Sequence, residues 1–103
     1  MIEVTTEQLK IVIDILNMHV PKSEVRAFGS RFNGDTKKHS DLDLAIFGEN
    51  KIDFKLMGKI REAFEESTLP FRVDVLDWHG ISPEFQKVIE QSYEVIKRAE
   101  KQL

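Results

Sequence analysis

Two aspartates alternate with core-type residues in Asp41-Leu42-Asp43-Leu44-Ala45-Ile46-Phe47, and this segment restricts the fold more than any other. The alternation is the period-2 pattern of a β-strand, with Leu42, Leu44 and Ile46 on one face and Asp41 and Asp43 on the other. At a rise of about 3.3 Å per residue, the two acids lie roughly 6.6 Å apart along that face, and their carboxyl groups can converge on the space between them. Two like charges held there are costly unless a cation neutralises them. Mg²⁺ is the usual hard ion for oxygen ligands.

A third acid is available in Phe71-Arg72-Val73-Asp74-Val75-Leu76-Asp77. Val73 and Val75 share a face, which turns Asp74 to the opposite one with Arg72 and Leu76. Laid beside the Asp41 strand, this segment completes a triad, with Asp74 as a metal ligand and as acceptor of an attacking hydroxyl's proton. Asp77 is the competing choice, but its parity groups it with Val73 and Val75 near the strand end, so Asp74 is selected. Upstream, an apolar strand over 25–28 runs into Gly29-Ser30, ten residues before Asp41. Gly29 lets the backbone take unusual dihedrals and approach an anion. If Ser30 opens a short helix, its N–H and hydroxyl face bound phosphates. Arg31, Lys37 and Lys38 are nearby cations, and Ser40 can donate to a phosphate oxygen or orient a carboxylate. Two Mg²⁺ ions about 3.5–4 Å apart would clamp the attacking and leaving oxygens of an in-line displacement. A lone Gly-Ser is a common turn and a lone Asp-x-Asp is often a pair of solvated acids. The joint arrangement is what nucleotidyl transfer from a metal-bound triphosphate requires.

With those residues in place, the chain resembles the minimal nucleotidyltransferase (MNT) family of the DNA polymerase β-like superfamily, marked by Gly-Ser, ten residues, Asp-x-Asp. The resemblance runs over nearly the whole length, from a leading helix through Ser40–Ile46 to Val73-Asp74-Val75-Leu76-Asp77-Trp78. It implies the polymerase β-like α+β fold, a short mixed sheet flanked by helices. It also implies ATP as substrate with Mg²⁺, and carboxylates at Asp41, Asp43 and Asp74. A partner is implied too: a helical HEPN-domain toxin, with the MNT protein as antitoxin transferring AMP to a tyrosine of that ribonuclease. One departure is Asn33 before Gly34, where many relatives carry a basic residue.

The composition agrees. At 103 residues the chain suits one domain, 1–103, and a net charge of −3 argues against tracking a long stretch of nucleic acid. No apolar run approaches the roughly 20 residues of a membrane-spanning helix, no signal peptide opens the chain, and cysteine is absent. A cytoplasmic location is the expectation.

Along the chain, Thr5 with Gln8 reads as a capping box, followed by Leu9, Val12, Ile13 and Leu16 at helical spacing until Pro21. Ile11, Ile15 and Met18 widen this stripe, through deeper burial or a partner surface. Asp53 reads as the N-cap of a second helix with Phe54, Met57, Ile60 and Phe64 on one face. Ser82-Pro83 opens a last helix carrying Phe85, Val88, Ile89, Ser92 and Ile96, with Lys97, Arg98 and Lys101 near its C-terminus. The expected order is α-β-α/loop-β-α-β-α. His19, His39 and His79 lack metal-binding spacing. Trp78 and Tyr93 read as packing residues, with Tyr93 on a helix surface.

Two other functions fit the same residues. One is an antitoxin that works by occlusion with little catalysis. The other is a transferase acting on a small molecule such as an aminoglycoside, against which stands the lack of sequence for an acceptor-binding domain. Homo-oligomers are compatible with the exposed apolar positions.

Overall fold

The structure, a computed structural model, describes residues 2–29 and 41–100. Along these run α1 (Thr6–His19), β1 (Glu24–Phe28), β2 (Leu42–Phe47), α2 (Phe54–Glu65), β3 (Val73–Asp77), a 3₁₀ turn (Trp78–Gly80), α3 (Pro83–Gln91) and β4 (Glu94–Lys97). The four strands form one sheet in the order β3-β2-β1-β4. β1 is antiparallel to both β2 and β4, whereas β2 and β3 are parallel. A parallel pair needs a long crossover, which α2 supplies. The result is the α+β fold with a mixed sheet that the residue pattern implies.

Alternation decides which sheet face is buried. Val25, Ala27, Leu42, Leu44, Ile46 and Val75 form the apolar face, and the buried Val12 and Leu16 of α1 and Met57, Ile60 and Phe64 of α2 cover it. Leu9 and Ile15 pack at the margin of this core. Local signals start the helices where expected. Thr5 and Gln8 form a reciprocal capping box, and the Ser82 hydroxyl accepts from the Phe85 N–H with Pro83 in the first turn. Asp53 holds the N-cap position of α2, although its side chain makes no capping hydrogen bond.

The C-terminal expectation is corrected. The last helix stops at Gln91, and Glu94–Lys97 forms β4 against β1. Without β4, β1 would be an edge strand with an unpaired row of backbone groups. Val95 and Ile96 are β-branched and suit that long-range pairing better than another helical turn. Lys97 therefore does not sit at a helix end. It is buried, and its ammonium donates to the carbonyls of Pro21 (3.3 Å), Ser23 (2.5 Å) and Arg98 (3.3 Å). Burial pushes its pKa below the ordinary lysine value.

Two stripes are narrower than their spacing suggests. Phe54 is 87% exposed at the start of α2, and on α3 Val88 is 60% exposed while Ile89 alone is buried. Tyr93 lies between α3 and β4 rather than on a helix. Its ring is part of a stack on the sheet face opposite the core. The Arg26 guanidinium lies 3.7 Å from the Phe47 ring centre and 4.3 Å from that of Tyr93. Trp78 packs on Phe47 with centroids 4.0 Å apart, so the packing role expected of both aromatics holds.

Candidate active site

Topology gathers the acids. Because β2 and β3 are parallel, both begin at the same end of the sheet, and Asp43 pairs in register with Asp74. Hydrogen-bonded neighbours lie about 4.8 Å apart, so the two side chains rise side by side from the face opposite the core. Asp41 precedes β2 by one residue and shares the parity of Asp43. The ladder reaches past β3, with Leu42 N–H donating to the Arg72 carbonyl at 2.9 Å, which holds the Asp41 end of β2 against the strand that carries Asp74.

β1 is antiparallel, so its C-terminal end arrives at the same place. Phe28 is the register partner of Asp43, and Gly29 follows it. Gly29 has φ +82°, a conformation that L side chains rarely adopt. A Cβ at this position would overlap the Asp43 carboxylate, with Asp43 Cγ only 3.2 Å away. Glycine is needed there twice over, for its dihedral and for the space above it. Across the sheet the order is therefore Asp74, then Asp43 with Asp41, then the Gly29 turn.

The electrostatics record this crowding. Asp43 is raised from 3.8 to about 6, first by burial, then by the charges of Asp74 and Asp41. Among the described residues no three histidine, aspartate or glutamate side chains are placed to hold a metal ion by themselves. A closed protein cage is not what a small hard cation needs, since such ions are commonly held by one or two carboxylates together with substrate phosphates. An all-oxygen donor set whose members repel one another suits a divalent ion.

Asp77 is accounted for differently. Its carboxylate accepts from the Ile52 N–H at 2.8 Å and from the His79 N–H at 3.1 Å, tying the segment before α2 to the 3₁₀ turn. His79 is fixed in turn by a 2.7 Å hydrogen bond with the Gly48 carbonyl. Of the residues expected at the site, Ser30, Arg31, Lys37, Lys38 and Ser40 lie outside the described residues, as do Asn33, His39 and Lys101.

Residues 7–102 match the family described as Polymerase beta, Nucleotidyltransferase. The chain belongs to this nucleotidyltransferase family. It is 48% identical over 100 residues to "Probable protein adenylyltransferase MntA" of Haemophilus influenzae, a match spanning 97% of this chain and 88% of that protein. The fold also matches solved structures. A toxin–antitoxin with AMP-PNP aligns with TM-score 0.76 at 21% identity, over 88% of this chain and 73% of the other. A tri-AMPylated Shewanella oneidensis HEPN toxin in complex with MNT antitoxin aligns with TM-score 0.63 at 19% identity, over 90% and 71%.

For a nucleotidyltransferase, the layout has a direction. The Gly29 turn sits at the β1 side of the acids and Asp74 at the β3 side. Beyond Asp74, at the β3 edge of the sheet, lies a cavity of about 280 Å³ lined by residues that include Arg61, Glu65, Arg72 and Asp74. Parity places Arg72 on the face of Asp74, but nothing local in α2 marks Arg61. Its guanidinium reaches the Val75 carbonyl at 3.5 Å across fourteen residues, a contact only the packed helix creates.

Proposed function

We propose that this protein is a Mg²⁺-dependent adenylyltransferase that moves AMP from ATP to a hydroxyl of a HEPN-domain toxin, a tyrosine by preference, and so acts as its antitoxin. The observation that carries this reading is the in-register pair Asp43–Asp74, with Asp41 adjacent and the Gly29 turn facing them. The 48% identity to a probable protein adenylyltransferase supports the reaction class. The HEPN toxin and MNT antitoxin complex among its structural neighbours supports the kind of partner.

In this mechanism Asp41, Asp43 and Asp74 would hold the divalent ions, and Gly29 and Ser30 would accept the triphosphate, with Arg31, Lys38 and Ser40 as further phosphate contacts. When bound, Mg²⁺ neutralises the phosphates and acidifies the acceptor hydroxyl. Asp74 takes the hydroxyl proton as the oxygen bonds to the α-phosphorus, and pyrophosphate leaves on the opposite side. Positioning and charge neutralisation supply most of the acceleration. A bound cation would relieve the repulsion that Asp74 and Asp41 impose on Asp43.

The test is transfer of label from α-labelled ATP to the co-purified HEPN-domain partner. The wild-type chain should label it, and the partner's mass should rise by whole AMP units. The Asp41→Ala, Asp43→Ala double variant should form the same complex without labelling. Undiminished labelling by the double variant would end this reading. Neutralisation of the partner by that variant at equal dose would replace it with occlusion.

A further inference from the structure

We propose that the cavity between α2 and the outer edge of β3 is an acceptor subsite, in which Arg61 and Arg72 hold an anionic group that neighbours the attacking hydroxyl. This rests on the adenylyl-transfer reading above. Displacement at the α-phosphorus is in line, so the acceptor approaches from the side opposite the departing pyrophosphate. With the triphosphate on the Gly29 turn beside β1, that side is β3, where Asp74 stands and the cavity of about 280 Å³ opens. Arg61 and Arg72 line that cavity together with Asp74.

Both guanidiniums are available for a ligand. Among the described residues neither has a carboxylate within ion-pair distance, although Glu65 lies one helical turn from Arg61. The same spacing on α1 does form a pair, Lys10–Asp14 at 2.8 Å. Arg61 is anchored instead on the β3 edge through the Val75 carbonyl. Phe64, Leu69, Phe71 and Val73 also line the cavity, at whose mouth Arg61 and Arg72 are exposed residues. Once Asp74 is engaged by the catalytic ions, two guanidiniums face one carboxylate, Glu65, and the balance favours an anion.

Two acceptors present such a group. One is a protein whose acceptor hydroxyl is flanked by an Asp or Glu side chain. The other is an adenylate already attached, whose phosphodiester would sit on Arg61 and Arg72 while its ribose hydroxyl reaches Asp74. In either case one O–P bond forms at the α-phosphorus and the bond to pyrophosphate breaks. The hydroxyl proton goes to Asp74.

The test is an intact-mass time course of the HEPN-domain partner with ATP and Mg²⁺, comparing the wild-type chain with Arg61→Gln, Arg72→Gln and the double variant. A fall of about tenfold in the first addition assigns the anion to a protein carboxylate, whereas the same fall confined to later additions assigns it to the attached adenylate. Arg61→Lys and Arg72→Lys should recover part of the rate. Unchanged rates in the double variant overturn the subsite. A wild-type chain that adds no AMP sinks the transfer reading itself, and a second measurement then decides the subsite alone. Titration of the chain with inorganic phosphate, with Mg²⁺ present and without nucleotide, should shift the Arg61 and Arg72 side-chain N–H resonances and leave that of Arg26 in place. Absence of those shifts also overturns it.

Discussion

The Asp43 carboxylate occupies the space in which a Cβ on Gly29 would lie. The turn at the end of β1 and the central acid of β2 are thus fitted to each other, and Gly29 cannot gain a side chain unless Asp43 moves.

Gly29→Ala should damage the protein in two ways. The positive φ costs an L residue roughly 1–2 kcal/mol, and the methyl group must also displace Asp43. Chemical denaturation should register a stability loss of at least that size, and transfer should fall by more than stability alone accounts for. A Gly29→Ala chain with wild-type activity would show that Asp43 need not stay where it is.

Asp43 also gives the protein a pH signature in metal-free buffer. Its folded value of about 6 lies above its ordinary 3.8, so between these values the folded state binds more protons than the unfolded one. Stability from this group is complete below pH 3.8 and is lost as pH rises through about 6. Above that, the charged carboxylate beside Asp74 and Asp41 is a net cost. Asp43→Asn should therefore melt higher than wild type at pH 7.5, and the difference should close toward pH 4. Parallel melting curves at both pH values would contradict it.

Mg²⁺ should act through the same charge. At pH 7.5 its addition should raise the melting temperature of the wild-type chain, more so with ATP present, and should have little effect on the Asp41→Ala, Asp43→Ala variant. Chelation should abolish AMP transfer, with recovery on adding the ion back. Equal thermal shifts in both chains would place the ion elsewhere.

Asp74 and Asp77 should separate cleanly. Asp74→Asn should remove transfer without destabilising the chain, because its charge works on the reaction and its loss relieves the repulsion on Asp43. Asp77→Ala deletes acceptors for Ile52 and His79 and should cost about 1–3 kcal/mol, while the folded fraction keeps its transfer chemistry. Activity loss without destabilisation in Asp77→Ala would reverse the assignment. Urea melts with labelling assays on the same preparations decide it.

Much of this was legible because it is local. The period of two in Leu42–Ile46 and Val73–Val75 sets both strands and the face of each acid, and Thr5, Ser82 and Pro83 set two helix starts through hydrogen bonds and dihedrals within one turn. The parity of Asp77 against Asp74 likewise needs only the pleat. Tertiary structure decided the rest. Glu94–Lys97 becomes a strand because β1 offers an unpaired edge about seventy residues upstream. Phe54 and Val88 stay exposed because periodicity marks an apolar stripe but not how much of it a neighbour covers. The register that sets Asp43 against Asp74, the fit of Gly29 beneath Asp43, and the reach of Arg61 to the β3 edge all join segments far apart in sequence. Their energies exist only once the sheet has closed, so no local pattern encodes them.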